Sequence, residues 1–275
     1  MSETNSRHRG WVERPDCRLY FETMGEGAPL VFAHGLGGSH LSWWQQVPEF
    51  ARSHRCISFA HRGFTPSSAP ATGPDPQTYA DDLAALADQL DLAPMVIVGQ
   101  SMGGWTAIEF ALRFPERVRG LVLSSTSGTI DLRGLSPALD PLLAQWNRDA
   151  GAERERCMRA GIHVAAGARM AREQPALHLL YQQIDEASGQ VDKGLVRERL
   201  FATRVRPAST AQSITTPVLV VTGEEDVVFP SIAGDALAAS FPNARALAMK
   251  QTAHSPYFER PQAFNAALRE FLARL

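Results

Sequence analysis

The chain has 275 residues, of which 44% are hydrophobic and 20% are charged, a composition typical of a globular protein with a large buried core. Its formal net charge is −2, from 27 basic and 29 acidic side chains, and no segment concentrates the basic ones. This balance excludes the basic surface with which nucleic-acid-binding proteins meet the phosphate backbone.

Neither the N-terminus nor the cysteines indicate a secreted or membrane protein. Residues 1–17 lack the apolar segment of a signal peptide, and no apolar run reaches the roughly 18 residues that a membrane span needs. The cysteines Cys17, Cys56 and Cys157 are too far apart for a CxxC zinc motif or a disulfide framework. We therefore expect a cytoplasmic protein that needs no metal or other cofactor.

Short apolar runs alternate with amphipathic stretches, which is the pattern of a mostly parallel sheet covered by helices on both faces. Strands are predicted at residues 17–24, 29–34, 55–60, 95–100, 118–125, 217–223 and 244–250. Helices are predicted at residues 79–90, 102–113 and 260–275, where apolar residues recur at helical spacing. The predicted fold class is therefore α/β, with a doubly wound, mostly parallel sheet.

One interval interrupts the alternation of strands and helices. Residues 131–212 contain no strand-like run and consist of polar, charged helical sequence such as AGAERERCMRA. The interval is much longer than a connection between neighbouring strands requires. We predict a core formed by residues 1–130 and 213–275, with residues 131–212 inserted as a helical cap over one edge of the sheet.

A serine with a glycine on either side follows the strand predicted at residues 95–100. Gly99 and Gly103 flank Ser101 at the G-x-S-x-G spacing. In this motif the serine occupies a strained turn between a strand and a helix, and small neighbours keep the turn free of clashes. The strand before Ser101 and the helix after it supply that context. We therefore predict that Ser101 is a nucleophile and not a surface hydroxyl.

With this turn in place, the chain resembles the α/β-hydrolases from about residue 17 to its C-terminus. Members of that family carry the nucleophile, the acid and the histidine in this order along the chain. The resemblance implies that His254, in QTAHSPYFERP, is the base, because it follows the last strand and precedes the final helix. A serine hydroxyl needs such a base to take its proton.

The acid is implied by the same resemblance. The segment VVTGEEDVVFP matches the family pattern G-x-x-D-x-x-x-P with Gly223, Asp226 and Pro230. Asp226 is therefore the predicted acid, which holds the tautomer of the histidine. Glu224 and Glu225 are interpreted as solvated loop charges. Asp131, which follows the preceding strand, is kept as a weaker alternative for the acid.

Two backbone N–H groups are needed to stabilise the oxyanion of the tetrahedral intermediate. The resemblance implies that these are the N–H groups of Met102, directly after the nucleophile, and of Leu36, in AHGLGGSH. His34 is interpreted as a structural hydrogen-bonding residue beneath the site. Trp43 and Trp105 are predicted to contact the substrate.

The chain departs from the family at the segment that often reads D-x-R-G-x-G-x-S. Here it reads AHRGFTPS, with Ala60 and Thr65 in place of the aspartate and a glycine, while Arg62 and Gly63 remain. Since this segment mainly shapes a loop, we expect altered local hydrogen bonds and no loss of chemistry.

The sequence thus predicts a serine hydrolase that cleaves an ester, lactone or related acyl bond of a small molecule through an acyl-enzyme on Ser101. One alternative is hydrolysis of a carbon–carbon bond in a β-diketone-like metabolite. Another is a small-molecule receptor that keeps the catalytic residues and hydrolyses its ligand slowly. The sequence leaves these alternatives and the oligomeric state open.

Overall fold

The computed structural model describes residues 6–92, 94–189 and 191–275, and strands within these ranges form one sheet. The strands are β1 (His8–Glu13), β2 (Arg18–Met24), β3 (Ala28–Ala33), β4 (His54–Phe59), β5 (Met95–Gln100), β6 (Val118–Ser124), β7 (Val218–Gly223) and β8 (Ala244–Met249). Their order in the sheet is β1-β2-β4-β3-β5-β6-β7-β8. β1 and β2 pair antiparallel with their neighbours, whereas all pairs from β4 to β8 are parallel. The predicted fold class is confirmed.

The N-terminal strand β1 is absent from the sequence prediction. It forms a hairpin with β2 at the edge of the sheet, and of its side chains only Val12 is buried. An edge strand that buries so little apolar surface lacks the alternating hydrophobic pattern by which strands are predicted. The other strands begin and end within one residue of their predicted bounds.

Helices cover both faces of the sheet. They are α1 (Val47–Phe50), α2 (Tyr79–Gln89), α3 (Gly103–Arg113), α4 (Leu139–Arg159), α5 (Gly167–Glu173), α6 (Pro175–Ala187), α7 (Lys193–Ala202), α8 (Gly234–Ala239), α9 (Pro256–Glu259) and α10 (Pro261–Leu272). Apolar side chains of α2, α3 and α8 pack on one face, and those of α1, α9 and α10 pack on the other. In β5, Ile97 joins the first of these clusters and Val98 the second, as the two-residue period of a strand requires.

Helices α4 to α7 all lie in the interval between β6 and β7, and we call them the inserted helices. Val196 and Leu200 of α7 pack against Met102 and Trp105 beside the turn after β5. The division into a core and a cap remains a prediction. Although α4 has 21 residues, no helix in the described ranges is long and apolar enough to cross a membrane.

The departure from the family pattern after β4 coincides with a buried ion pair. The guanidinium of Arg62 donates from Nε and Nη2 to the two carboxylate oxygens of Asp82 on α2, each at 2.7 Å. Both side chains are almost fully buried, with exposed fractions of 4% and 1%. The exposed Asp16 accepts a further hydrogen bond from Arg62 at 2.9 Å. Ala60 stands where the family pattern has an aspartate, so that position offers no carboxylate. Asp82 on α2 supplies the carboxylate that binds Arg62 in this loop.

Removing the Asp82 carboxylate should destabilise the fold because it leaves the Arg62 charge buried without its bidentate partner. We expect Asp82→Ala to lower the free energy of unfolding by about 3–5 kcal/mol, measured by urea denaturation. The adjacent Asp81 is 41% exposed and pairs with Arg113, so Asp81→Ala should cost at most about 1 kcal/mol. Equal losses in the free energy of unfolding for the two variants would contradict the role of Asp82 as the buried partner of Arg62.

Candidate active site

The turn after β5 explains both glycines of the GQSMG segment. Ser101 has a positive φ of 48°, a strained conformation for a residue with a side chain. A Cβ on Gly99 would lie 2.6 Å from the carbonyl oxygen of Gly103, and a Cβ on Gly103 would overlap the carbonyl oxygen of Ala33. The chain therefore needs glycine at both positions to bring α3 so close to β3 and β5.

The predicted acid and base meet at the same edge of the sheet. His254 Nδ1 lies 2.8 Å from Asp226 Oδ2, and the two side chains are 5% and 0% exposed. The other carboxylate oxygen of Asp226 accepts hydrogen bonds from the backbone N–H groups of Val228 and Phe229 at 2.7 and 2.9 Å. The hydrogen bonds to Oδ1 thus fix the orientation of the carboxylate, and Oδ2 faces the imidazole.

The alternative acids are engaged elsewhere. Asp131 pairs with Arg133, an exposed arginine two residues along the chain. Glu225 pairs with Arg169 of α5 at the surface. Of these carboxylates, only Asp226 contacts His254.

The nucleophile turn and the histidine loop are joined through Gln100, the residue before Ser101. Its Nε2 donates to the carbonyl oxygen of His254 at 3.0 Å. Within the described residues no hydrogen bond joins Ser101 to His254 itself. With Nδ1 facing Asp226, Nε2 is the imidazole nitrogen that remains to accept the proton of a hydroxyl.

The glycine-rich loop after β3 approaches Ser101 closely. A Cβ on Gly35 would lie 3.2 Å from Ser101 Cβ and would overlap Gln100 Oε1, so any larger residue would displace the Gln100 amide. Next to it, Leu36 lines a small pocket together with Gly35 and Gln100. Within the described residues, the backbone N–H groups of Leu36 and Met102 donate to no protein acceptor. This geometry fits the predicted donors, whose role remains a prediction.

His34 braces the loop after β3 in one fixed tautomer. Its Nε2 accepts a hydrogen bond from the backbone N–H of His61 at 3.0 Å, so Nδ1 carries the proton and donates to the carbonyl oxygen of Gly35 at 2.8 Å. Burial lowers the pKa of His34 to about 3, which keeps the ring neutral. The ring thus connects the loops after β3 and β4, as its interpretation as a structural residue implies.

A small pocket lies between the loop after β3 and the inserted helix α6. It leaves about 10 Å³ for the centre of a water molecule, which is room for about one water. Its lining residues are Gly35, Leu36, Gly37, Gly38, Ser42, Gln100, Tyr181, Ile184, Tyr257 and Phe258.

Both tryptophans predicted to contact the substrate are buried and have packing partners within the protein. Trp43 is 0% exposed and packs between Phe32 and Tyr257, with ring centroids 5.0 and 4.4 Å apart, so its ring belongs to the core. Trp105 is buried between α3 and α7 and donates from Nε1 to Leu200 O at 3.1 Å. Apolar rings at such positions stabilise the fold by packing between elements, and their contact with a substrate stays a prediction.

Sequence reasoning did not assign Gln100 or Ser42 to the site. The signal for Gln100 was available, since it is a polar residue at the end of the otherwise apolar, fully buried strand β5. Tyr181 of α6 also lines the pocket, and its Oη lies 2.9 Å from Ser255 Oγ.

A family model described as the alpha/beta hydrolase fold matches residues 28–261. The chain belongs to the α/β-hydrolase fold family. The resemblance found in the sequence is thereby confirmed over most of the chain.

Individual relatives indicate the kind of chemistry in this family. The chain is 32% identical over 283 residues to BpoC of Mycobacterium tuberculosis, named as a non-heme bromoperoxidase, covering 93% of this chain and 97% of that protein. It is 27% identical over 271 residues to 3-oxoadipate enol-lactonase 2 of Acinetobacter baylyi, covering 94% of each. A solved structure described as Est816, an N-acyl homoserine lactone degrading enzyme, matches with a TM-score of 0.76 at 28% identity, over 95% of this chain and 100% of that chain. The expectation of a hydrolase is confirmed.

The contact between Gly103 and Ala33 gives a test of the turn. Gly103→Ala should lower the free energy of unfolding by about 1–3 kcal/mol, because the new methyl group forces α3 away from β3. Gly151 lies in α4 with only Arg154 Nη2 near a Cβ, at 3.7 Å, so Gly151→Ala should stabilise by about 0.5–1 kcal/mol. Urea denaturation of both variants measures the difference, and the same sign for both would contradict the close approach.

Proposed function

We propose that this chain is a serine hydrolase that cleaves an ester or lactone bond of a small molecule through an acyl-enzyme on Ser101. The observation that carries the proposal is the buried contact of 2.8 Å between His254 Nδ1 and Asp226 Oδ2. Gln100 ties this pair to the turn that holds Ser101 in a strained conformation. A buried acid–base pair beside a strained, partly exposed serine is the arrangement that nucleophilic acyl transfer requires.

The proposed reaction begins with removal of the Ser101 hydroxyl proton by His254 Nε2. The Oγ atom attacks the carbonyl carbon, and the negative charge on the former carbonyl oxygen is stabilised by the N–H groups of Leu36 and Met102. His254 returns the proton to the leaving alkoxide, which departs as an alcohol. Water then attacks the acyl-enzyme with His254 again as the base, releasing the acid and free Ser101. Asp226 stabilises the imidazolium in both steps.

The proposed substrates carry a small acyl group. The pocket lined by Leu36 and by Gln100, the residue before Ser101, has room for about one water molecule and is bounded by Ile184 and Tyr181 of α6. We further propose that the inserted helices form the predicted cap over the site, and that the pocket between α6 and the loop after β3 receives the acyl chain. The lactone- and ester-cleaving names among the relatives agree with this class of substrate.

The catalytic residues are tested with p-nitrophenyl acetate. Ser101→Ala, His254→Ala and Asp226→Asn should each lower kcat/KM by about 10⁴-fold, because they remove the nucleophile, the base and the carboxylate that holds the tautomer of the base. Asp131→Asn is the matched control for Asp226→Asn and should leave kcat/KM unchanged, since Asp131 pairs with Arg133. Full turnover by Ser101→Ala would overturn the proposal. A single stoichiometric release of p-nitrophenol by the unaltered protein would favour a slow-hydrolysing receptor, and no release would favour a carbon–carbon hydrolase.

The size of the acyl pocket is tested at Ile184. We expect the unaltered protein to prefer acetate over butyrate and octanoate esters, and Ile184→Ala to shift the preference toward butyrate by about tenfold, since lost methylene groups enlarge the pocket. Leu179→Ala on the same helix is the control, because Leu179 is 54% exposed. Identical chain-length profiles in all three proteins would place the acyl group elsewhere.

A further inference from the structure

A buried glutamate holds the backbone on both sides of His254. The carboxylate of Glu259, at the end of α9, accepts hydrogen bonds from the backbone N–H of Ala253 at 3.0 and 2.9 Å and from that of Ser255 at 3.1 Å. The residue is only 2% exposed. Burying a carboxylate is costly unless hydrogen bonds compensate for it. Among the described residues, the compensation comes from the backbone N–H groups of Ala253 and Ser255, the residues on either side of the proposed base.

The surroundings of Glu259 contain no cation at hydrogen-bonding distance among the described residues. The titratable groups that face it are Asp226, Arg260, Tyr181 and Tyr257. Burial raises the pKa of Glu259 to about 8, and the hydrogen bonds from Ala253 and Ser255 only partly offset this effect. An ordinary helix-capping glutamate is exposed to water, so capping α9 does not explain why this one is buried.

The same loop is held on two further sides. Gln100 Nε2 donates to the carbonyl oxygen of His254 at 3.0 Å, and Tyr181 Oη lies 2.9 Å from Ser255 Oγ. The N–H groups of Ala253 and Ser255 and the carbonyl oxygen of His254 are therefore held by two buried side chains, those of Glu259 and Gln100. Of these contacts, only those of Glu259 bind the backbone before and after the histidine at once.

We propose that Glu259 is a positioning residue that sets the orientation of the His254 imidazole toward Asp226 and Ser101 through the backbone of residues 253–255. This inference rests on the proposed function of His254 as the base. A misplacement of a catalytic group by about 1 Å can cost about a hundredfold in rate. A side chain that fixes the histidine backbone therefore acts on kcat and leaves substrate binding largely unchanged.

The test compares two buried side chains of similar size, Glu259 and Gln46, each replaced by methionine. Glu259→Met removes the acceptor for the Ala253 and Ser255 N–H groups. Gln46→Met removes the hydrogen bond of 2.9 Å from Gln46 Nε2 to Tyr257 O and thus loosens α9 without touching those N–H groups. Glu259→Gln keeps one acceptor oxygen and should give an intermediate effect. For each variant we would measure the melting temperature, kcat and KM on p-nitrophenyl acetate, and the downfield ¹H NMR resonance of His254 Nδ1–H, identified by its loss in His254→Ala.

We expect Glu259→Met to lower kcat about ten- to hundredfold with KM changed less than about twofold, and to shift the His254 resonance. Gln46→Met should lower the melting temperature similarly without either effect. Equal changes of kcat and of the resonance in the two variants would make Glu259 a purely structural residue. If Glu259→Met does not fold, the changes in kcat and in the His254 resonance are compared between Glu259→Gln and Gln46→Met instead. Because the resonance is measured without substrate, it tests Glu259 even if Ser101→Ala were to disprove the hydrolase.

A stability titration tests the charge state of Glu259 independently. Because its pKa is raised from 4.5 to about 8 in the folded chain, proton binding contributes stability that is fully present below pH about 4.5 and is lost as the pH rises to about 8. The difference in free energy of unfolding between the unaltered protein and Glu259→Gln should therefore fall across this range and level off above it. A difference that stays constant from pH 5 to 9 would show that Glu259 is not held in this buried environment.

Discussion

The strained backbone at Ser101 is the constraint on which the rest of the site depends. A residue with a side chain at φ 48° costs about 1–3 kcal/mol and persists only where the surroundings fix it. Here Ser101 N–H donates to Ser124 O at 3.0 Å, and Ser101 O accepts from Gly104 N–H at 2.9 Å. Both partners belong to elements beside β5, which lies in the middle of the sheet with every side chain buried. The apolar core thus holds the turn in place, and the absence of a Cβ at Gly103 lets α3 start against β3.

Parallel strands bring the other parts of the site to the same edge. The loops after β3, β5, β7 and β8 all follow the carboxyl ends of their strands, so they meet above the middle of the sheet. Hydrogen bonds then set the distances between them: His34 joins the loop after β3 to that after β4, and Gln100 joins the turn after β5 to the histidine loop. The neutral, single tautomer of His34 matters because a charged ring could not accept the hydrogen bond from His61 N–H.

The sequence was sufficient for those parts of the fold and site that produce a local pattern. Buried parallel strands are continuous apolar runs, so β3 to β7 could be predicted, whereas β1 buries only Val12 and leaves no such run. The G-x-S-x-G spacing and the pattern around Asp226 point to residues whose own side chains are proposed to take part in the chemistry. Glu259 could not be found in this way, because its contacts are with backbone N–H groups, which every sequence offers, and its burial depends on packing from α6, α9 and β7. Trp43 and Trp105 illustrate a different difficulty. An aromatic residue near a motif fits a ligand site and an apolar core equally well, and the sequence does not give its packing partners.

The inserted helices contact the loops of the acid and the base directly. Trp146 Nε1 on α4 donates to Asp226 O at 3.3 Å, Arg154 Nη1 donates to Val227 O at 2.5 Å, and Tyr181 on α6 contacts Ser255 beside His254. A shift of these helices that admits a larger substrate therefore also moves the backbone of Asp226 or of the histidine loop. Under the proposed function, this arrangement couples binding to proton transfer: a substrate that fits beneath α6 leaves Asp226 and His254 in contact, whereas one that displaces the helix disturbs that contact. Substrate selection would then appear in kcat as well as in KM, because the helices proposed to enclose the substrate also support the proposed acid and base.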